Sequence, residues 1–246
     1  MSLVLAIKAR DGVVVASDSQ ATSGANVVRT RAEARKLQDL HGTIAFGCVG
    51  DAGLIQRVVA ALRSEVKAID CKQRLDVLRP LLHQIVNPLQ QQAVTEHVET
   101  AGNEPPCISV LFAGVSRGRR WIYEIHRDGK DEEHEVAEAI GAARHYAMNG
   151  MVYQRHLQLA DRPIQQVRIA AYRIVLNSIL TDGTGVIGAP VQLYEVRENA
   201  ARPVPDRDLK IMQDSLDLLN ERERDLWQQP LDEEALTRVI DGIRVD

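Results

Sequence analysis

A chain of 246 residues that is 45% hydrophobic and 26% charged has enough apolar material for one large core and stays within single-domain length. Its net charge of -4 gives no electrostatic reason to expect polyanion binding, which needs clustered Lys and Arg, so nucleic acid is not an expected partner. The three cysteines, Cys48, Cys71 and Cys107, form no CxxC pair, and no apolar run approaches membrane-span length, so no disulfide framework, thiolate metal site or membrane segment is expected. The start of the chain meets Lys8 and Arg10 too soon for a signal-peptide core, which points to the cytoplasm.

Leu3 to Ile7 and Val13 to Ala16 are β-rich runs around the turn dipeptide Asp11-Gly12, and they predict an antiparallel hairpin. Thr43 to Val49 predicts another strand. After it, Leu54, Ile55, Val58, Val59, Leu62, Val66 and Ile69 recur at helical spacing, with Asp51 able to cap. Leu75 to Val94 reads as a second helix, broken or kinked by Pro80 and Pro88. Cys107 to Val115 and Trp121 to His126 predict a second hairpin facing the first sheet, and His134 to Ile140 alternates weakly. Helices follow over Ala142 to Leu159 and Ile164 to Leu180, then a strand over Val191 to Val196. Grouped strands and grouped helices imply an α+β layered fold. The proline-bearing segment Arg197 to Pro205 leads into Leu209, Met212, Leu216, Leu219 and Leu226 on a charged background. The expected division is therefore a main domain over 1–196 and an amphipathic helical extension over 197–246.

Met1-Ser2 would present, after removal of Met1, a serine with a free α-amino group. Such an amine has a pKa of about 7.7 to 8.0, so its neutral form can take the proton of the hydroxyl on the same residue. By itself this start is uninformative. The segments that follow add to it: the run from Val13 to Thr22, ending Asp18-Ser-Gln-Ala-Thr22; Glu33-Ala-Arg-Lys-Leu37; and Thr43-Ile-Ala-Phe-Gly-Cys-Val-Gly-Asp-Ala52. In this order and near this spacing they resemble the proteasome β-subunit family of N-terminal-nucleophile hydrolases. The resemblance is clear from Ser2 to about Glu65 and extends plausibly to Val196. Among the family, the chain resembles most the bacterial proteasome homologues, namely the heat-shock-locus peptidase and the betaproteobacterial branch.

That resemblance implies a four-layer αββα sandwich and a self-compartmentalising peptidase acting through Ser2. It would place Lys36 beside the Ser2 hydroxyl and Asp18 as its partner. The N–H of Gly47 would donate to the oxyanion, from a position where a residue without Cβ lets substrate approach. Asp182, in Thr181-Asp-Gly-Thr-Gly185, would orient Ser2, with turn formation as the equal alternative. Ala21, Thr22, Ala45 and Val49 would line the substrate channel. Expected partners are further copies of the chain, in stacked rings of six or seven subunits each, with unfolded polypeptide as substrate and an unfoldase of unknown identity; no cofactor is implied. Plain alternatives stand beside each role: Asp18 as a turn residue, Lys36 as one charge of a basic stretch with Arg35 competing for the position, Gly47 as a bulge.

Two departures favour a rival reading, a non-catalytic scaffold or partner-binding subunit. The family's Gly-Ser-Gly element falls on Gly141-Ala142-Ala143, and Gly185 stands where a serine is usual. Retention of Met1 would likewise remove the amine base. Gly183-Thr-Gly-Val-Ile-Gly188 matches a dinucleotide fingerprint but follows a helix and enters a strand, the reverse of a phosphate-binding loop. Cys48 is a candidate thiol nucleophile or, alternatively, a buried strand cysteine.

Overall fold

The computed structural model describes residues 2–23, 30–65, 73–100 and 105–228. Met1, Val66, Ile69 and Cys71, used in the sequence reading, lie outside the described residues, as do the side chains of Thr22 and Leu226.

The first hairpin forms as its pattern requires. Strand β1 (Leu3–Ala9) pairs with β2 (Gly12–Ser17), with Val4 opposite Ser17. Two short strands follow, β3 (Gln20–Ser23) and β4 (Thr30–Glu33), which pair with each other. Next come β5 (Leu37–Leu40) and β6 (Ile44–Gly50), then the helices α1 (Ala52–Glu65) and α2 (Leu75–Thr100). Asp51 caps α1, its Oδ1 accepting the Leu54 N–H at 2.8 Å. Of the break or kink expected in α2, the break does not occur, because the helix continues through Pro80 and Pro88. Packing of Leu78, Leu82 and Val86 in the core outweighs the cost of about 3 kcal/mol that an interior proline imposes.

The second hairpin is β7 (Ile108–Ser116) with β8 (Arg119–Ile125). The weakly alternating stretch after it is two strands rather than one, β9 (Asp131–His134) and β10 (Ala137–Gly141). They belong to different sheets: β9 pairs with β8, whereas β10 pairs with β1. Then follow α3 (Arg144–Tyr153), α4 (Ile164–Thr181), β11 (Gln192–Arg197) and β12 (Ala200–Pro203).

One sheet has the order β10-β1-β2-β11-β12, the other β5-β6-β7-β8-β9. They face each other across a core containing Val4, Val13, Val15, Leu37, Leu111 and Ile122. Helices α1 and α2 cover the second sheet, while α3 and α4 cover the first. The result is an α/β/β/α stack. A strand inside it is apolar on both faces, and β2 is accordingly buried at every position. Pairing of β12 with β11 carries the first compact unit, 1–204, beyond residue 196.

The second unit begins at Pro205 and contains α5 (Asp206–Gln228). Asp206 and Asp208 in its first turn complement the positive end of the helix dipole. Among the described residues, no helix is long and apolar enough to cross a membrane.

Candidate active site

The site is built where four strand ends of the first sheet meet. Ser2 leads into β1, and Asp18 follows β2, fully buried. Asp18 Oδ1 accepts the Leu3 N–H at 2.8 Å, and Oδ2 accepts those of Gln20 at 3.1 Å and Gly188 at 3.2 Å. Lys36 Nζ donates to the same Oδ1 at 2.6 Å. One oxygen thus ties the lysine ammonium to the residue next to Ser2. A carboxylate that accepts three amides and an ammonium is fixed in place.

Burial pulls the pKa of Lys36 below the ordinary lysine value, against the opposing pull of Asp18. The competition between Arg35 and Lys36 for Asp18 is resolved geometrically, since Arg35 Nη2 instead donates to the Tyr194 hydroxyl at 2.5 Å. The segment that carries both is clamped by Gln192. Its Oε1 accepts the N–H groups of Lys36 at 3.0 Å and Leu37 at 3.4 Å, and its Nε2 donates to the Ala34 carbonyl at 2.6 Å. Nothing in the sequence singles out Gln192, because the contact spans 156 residues.

Gly47 pairs with Leu37 on one side and Leu111 on the other. A Cβ there would lie 2.8 and 2.9 Å from the two methyl groups of Val4 and 3.0 Å from Leu37 Cδ2. The close approach of the two sheets is by itself a reason for a glycine at this position. Ala45 is fully buried in the inter-sheet core, so its side chain does not reach solvent. Val49 does reach a cleft of about 500 Å³ that also touches Ser2, Gly141, Ala142, Glu124 and Arg144. Ala21 is half-buried in β3, next to Thr22.

Gly141 ends β10 opposite Leu3 with φ of +107°. Any side chain there would collide with the Ser2 carbonyl oxygen, so a glycine is needed for Ser2 to lie against this strand. Ala142 follows it, a methyl group where a hydroxyl was expected to matter.

Asp182 holds its own loop. Its oxygens accept from Thr184 N at 3.1 Å, Thr184 Oγ1 at 2.5 Å, Val186 N at 2.8 Å and Ile187 N at 3.1 Å. Burial would raise its pKa, but these bonds outweigh it and hold the carboxyl below the usual value. The loop so shaped reaches Asp18 through Gly188, whose carbonyl also accepts the Ser19 N–H at 3.0 Å. The glycine string over 183–188 thus buttresses the Asp18 carboxylate, between α4 and β11. Cys48 is buried, and its thiol pKa is pushed up to about 12, which keeps it protonated and unreactive.

Residues 2–160 match the sequence profile described as Proteasome subunit. The proteasome subunit beta of Haloferax volcanii is 23% identical over 180 residues, covering 73% of this chain and 69% of that protein. That of Methanothrix thermoacetophila is 25% identical over 187 residues, covering 75% and 85%. Among solved structures, the helical assembly of the Anbu complex from Pseudomonas aeruginosa gives a TM-score of 0.70 at 18% identity, covering 95% of this chain and 99% of that one. Anbu (ancestral beta-subunit) from Yersinia bercovieri gives 0.68 at 16% identity, covering 94% and 99%. With the profile spanning more than half of the sequence and the four-layer fold matching throughout, the chain belongs to the proteasome subunit family and has its N-terminal-nucleophile hydrolase fold.

Proposed function

We propose that the chain is a subunit of a self-compartmentalising peptidase that hydrolyses peptide bonds through Ser2 once Met1 has been removed. The observation that carries this reading is the shared Asp18 oxygen, which holds the Lys36 ammonium and the Leu3 amide at one point beside Ser2. In this mechanism Ser2 Oγ attacks the scissile carbonyl while its proton passes to the neutral α-amine. The Lys36 charge lowers the cost of the alkoxide, and the Gly47 N–H donates to the oxyanion. The proton then goes to the leaving amine, and water hydrolyses the acyl ester. Asp182 acts from a distance, through the loop that supports Asp18. An extended peptide would lie along Ala21 and Thr22 on one side and Gly47 to Val49 on the other, by main-chain pairing.

The enzyme would work in the cytoplasm as stacked rings of six or seven copies, enclosing the sites and admitting unfolded chains. A non-catalytic scaffold is the second reading, and the observation favouring it is Ala142, which stands in the cleft wall beside Ser2 without a hydroxyl.

A peptidyl epoxyketone separates the two. The enzyme should form a double adduct through the Ser2 hydroxyl and α-amine, detected by peptide mass mapping, and Ser2→Ala should abolish it without disturbing the fold. Met1 still attached, or label on another residue, would sink the peptidase reading.

A further inference from the structure

A second cluster of titratable groups stands beside the same cleft. Glu124 lies on β8, His134 ends β9, and Glu138 lies on β10, so the cluster spans the point where the chain crosses from one sheet to the other. Glu124 is only 4% exposed and Glu138 5%. His134 Nε2 is 3.2 Å from Glu124 Oε2, and its Nδ1 is 3.2 Å from Glu138 Oε2. One imidazole nitrogen and one oxygen from each glutamate lie within 4.8 Å of one another.

The geometry points to a divalent metal site of the zinc class, formed by Glu124, His134 and Glu138. Two ligands at about 2.0–2.2 Å from zinc stand roughly 3.3 Å apart at a tetrahedral angle; His134 Nε2 and Glu124 Oε2 meet that spacing at 3.2 Å, and one Glu138 oxygen lies within the 4.8 Å span of the three donors. Two carboxylates this deeply buried call for compensating positive charge, and the sheltered oxygens of the pair both face His134. Their other oxygens are already held: Glu124 Oε1 faces His126 Nδ1 at 3.0 Å, and Glu138 Oε1 accepts from Ala139 N at 2.8 Å and Arg144 Nε at 2.9 Å. This is the outer layer that orients metal-binding carboxylates. A nitrogen donor with only three protein ligands selects a transition ion over calcium or magnesium, which demand more oxygens. The cleft, of which Glu124, His126 and Arg144 form part, gives the ion its way in and leaves room for water as a further ligand.

Sequence spacing hides the site, because Glu124 precedes His134 by ten residues on a neighbouring strand. The inference is independent of Ser2 being a nucleophile. The test is calorimetric titration of the chelator-treated full chain with zinc, with calcium and magnesium as contrasts. One zinc per chain should bind saturably, with no heat from the other two ions, and Glu124→Gln should weaken binding at least about tenfold. Cys107→Ser, which removes a thiol from the wall of the same cleft, should leave binding unchanged. Anomalous diffraction at the zinc edge would locate the ion without any substitution. Absence of saturable binding, an unchanged affinity in Glu124→Gln, a loss in Cys107→Ser instead, or an anomalous peak elsewhere would each overturn the assignment.

Discussion

Removing the two members of the Asp18–Lys36 pair one at a time should give very unequal losses of stability. Lys36 is 7% exposed and Asp18 not at all, so the pair is desolvated, and breaking such a pair typically costs about 3–5 kcal/mol. Lys36→Met leaves Asp18 with three amide donors, from Leu3, Gln20 and Gly188, and both its oxygens stay satisfied. Its cost should fall to roughly 1–3 kcal/mol, near that of one charge-assisted hydrogen bond. Asp18→Ala strands the Lys36 ammonium and leaves all three amides without their acceptor, each worth about 1–3 kcal/mol when buried unsatisfied. That loss should reach roughly 5 kcal/mol or more. In the double variant the stranded charge is gone, so the costs should fall short of additive by about 2 kcal/mol. Urea unfolding followed by tryptophan emission at fixed protein concentration measures all four states, buried Trp121 supplying the signal. Equal costs for the two single variants, or additivity within about 0.5 kcal/mol, would refute the picture of one oxygen gathering these donors.

Gly47→Ala forces a methyl group against Val4 and Leu37, and should cost about 1–3 kcal/mol by overpacking, read as a lower urea midpoint; Val4→Ala in the same chain should recover part of it. Asp182→Asn should lose about 1–2 kcal/mol at pH 7, since the amide cannot accept all four bonds of the carboxylate. Because the folded pKa of Asp182 is depressed, its contribution is present above the unfolded value near 3.8 and is lost as pH falls through the folded value. The gap in melting temperature between wild type and Asp182→Asn should therefore narrow below about pH 4, and a gap that holds or widens on acidification would count against it.

The elements that sequence reveals are those whose apolar pattern agrees with local turn chemistry. Asp11-Gly12 between two β-branched runs predicts β1 and β2, and Asp51 before a helical repeat predicts the start of α1. Strands β3, β4 and β12 escape because each has four residues, mostly small or polar, and β3 and β4 pair with each other rather than joining a large sheet. Between His134 and Ile140 the failure is different. A single weak alternation cannot show that its two halves join different sheets, because sheet membership is set by the strand that lies alongside, β8 for one half and β1 for the other. The prolines of α2 mislead in a third way, since local cost is read from the residue while the compensating contacts lie on another layer.

The site divides along the same line. Ser2, Asp18, Lys36 and Gly47 enter the proposed machinery through short segments whose order and spacing resemble a family. Gln192, Gly188 and Glu124 are not, since each enters through the order of strands rather than through any motif. In the first sheet β10, β1, β2 and β11 are neighbours, and this alone sets Gly141 opposite Leu3 and Gln192 opposite Ser17. Register does the rest: with Val4 opposite Ser17, Asp18 falls beside Leu3 and can accept its amide. A slip of one residue between β1 and β2 would turn the apolar faces of both strands over and move Asp18 away from that amide. The alternation of Leu3, Leu5 and Ile7 against Val4 and Ala6, buried on opposite faces of β1, forbids the slip at the cost of the inter-sheet core. The same side chains that hold the two sheets together therefore also fix where Ser2 stands relative to the Asp18 carboxylate.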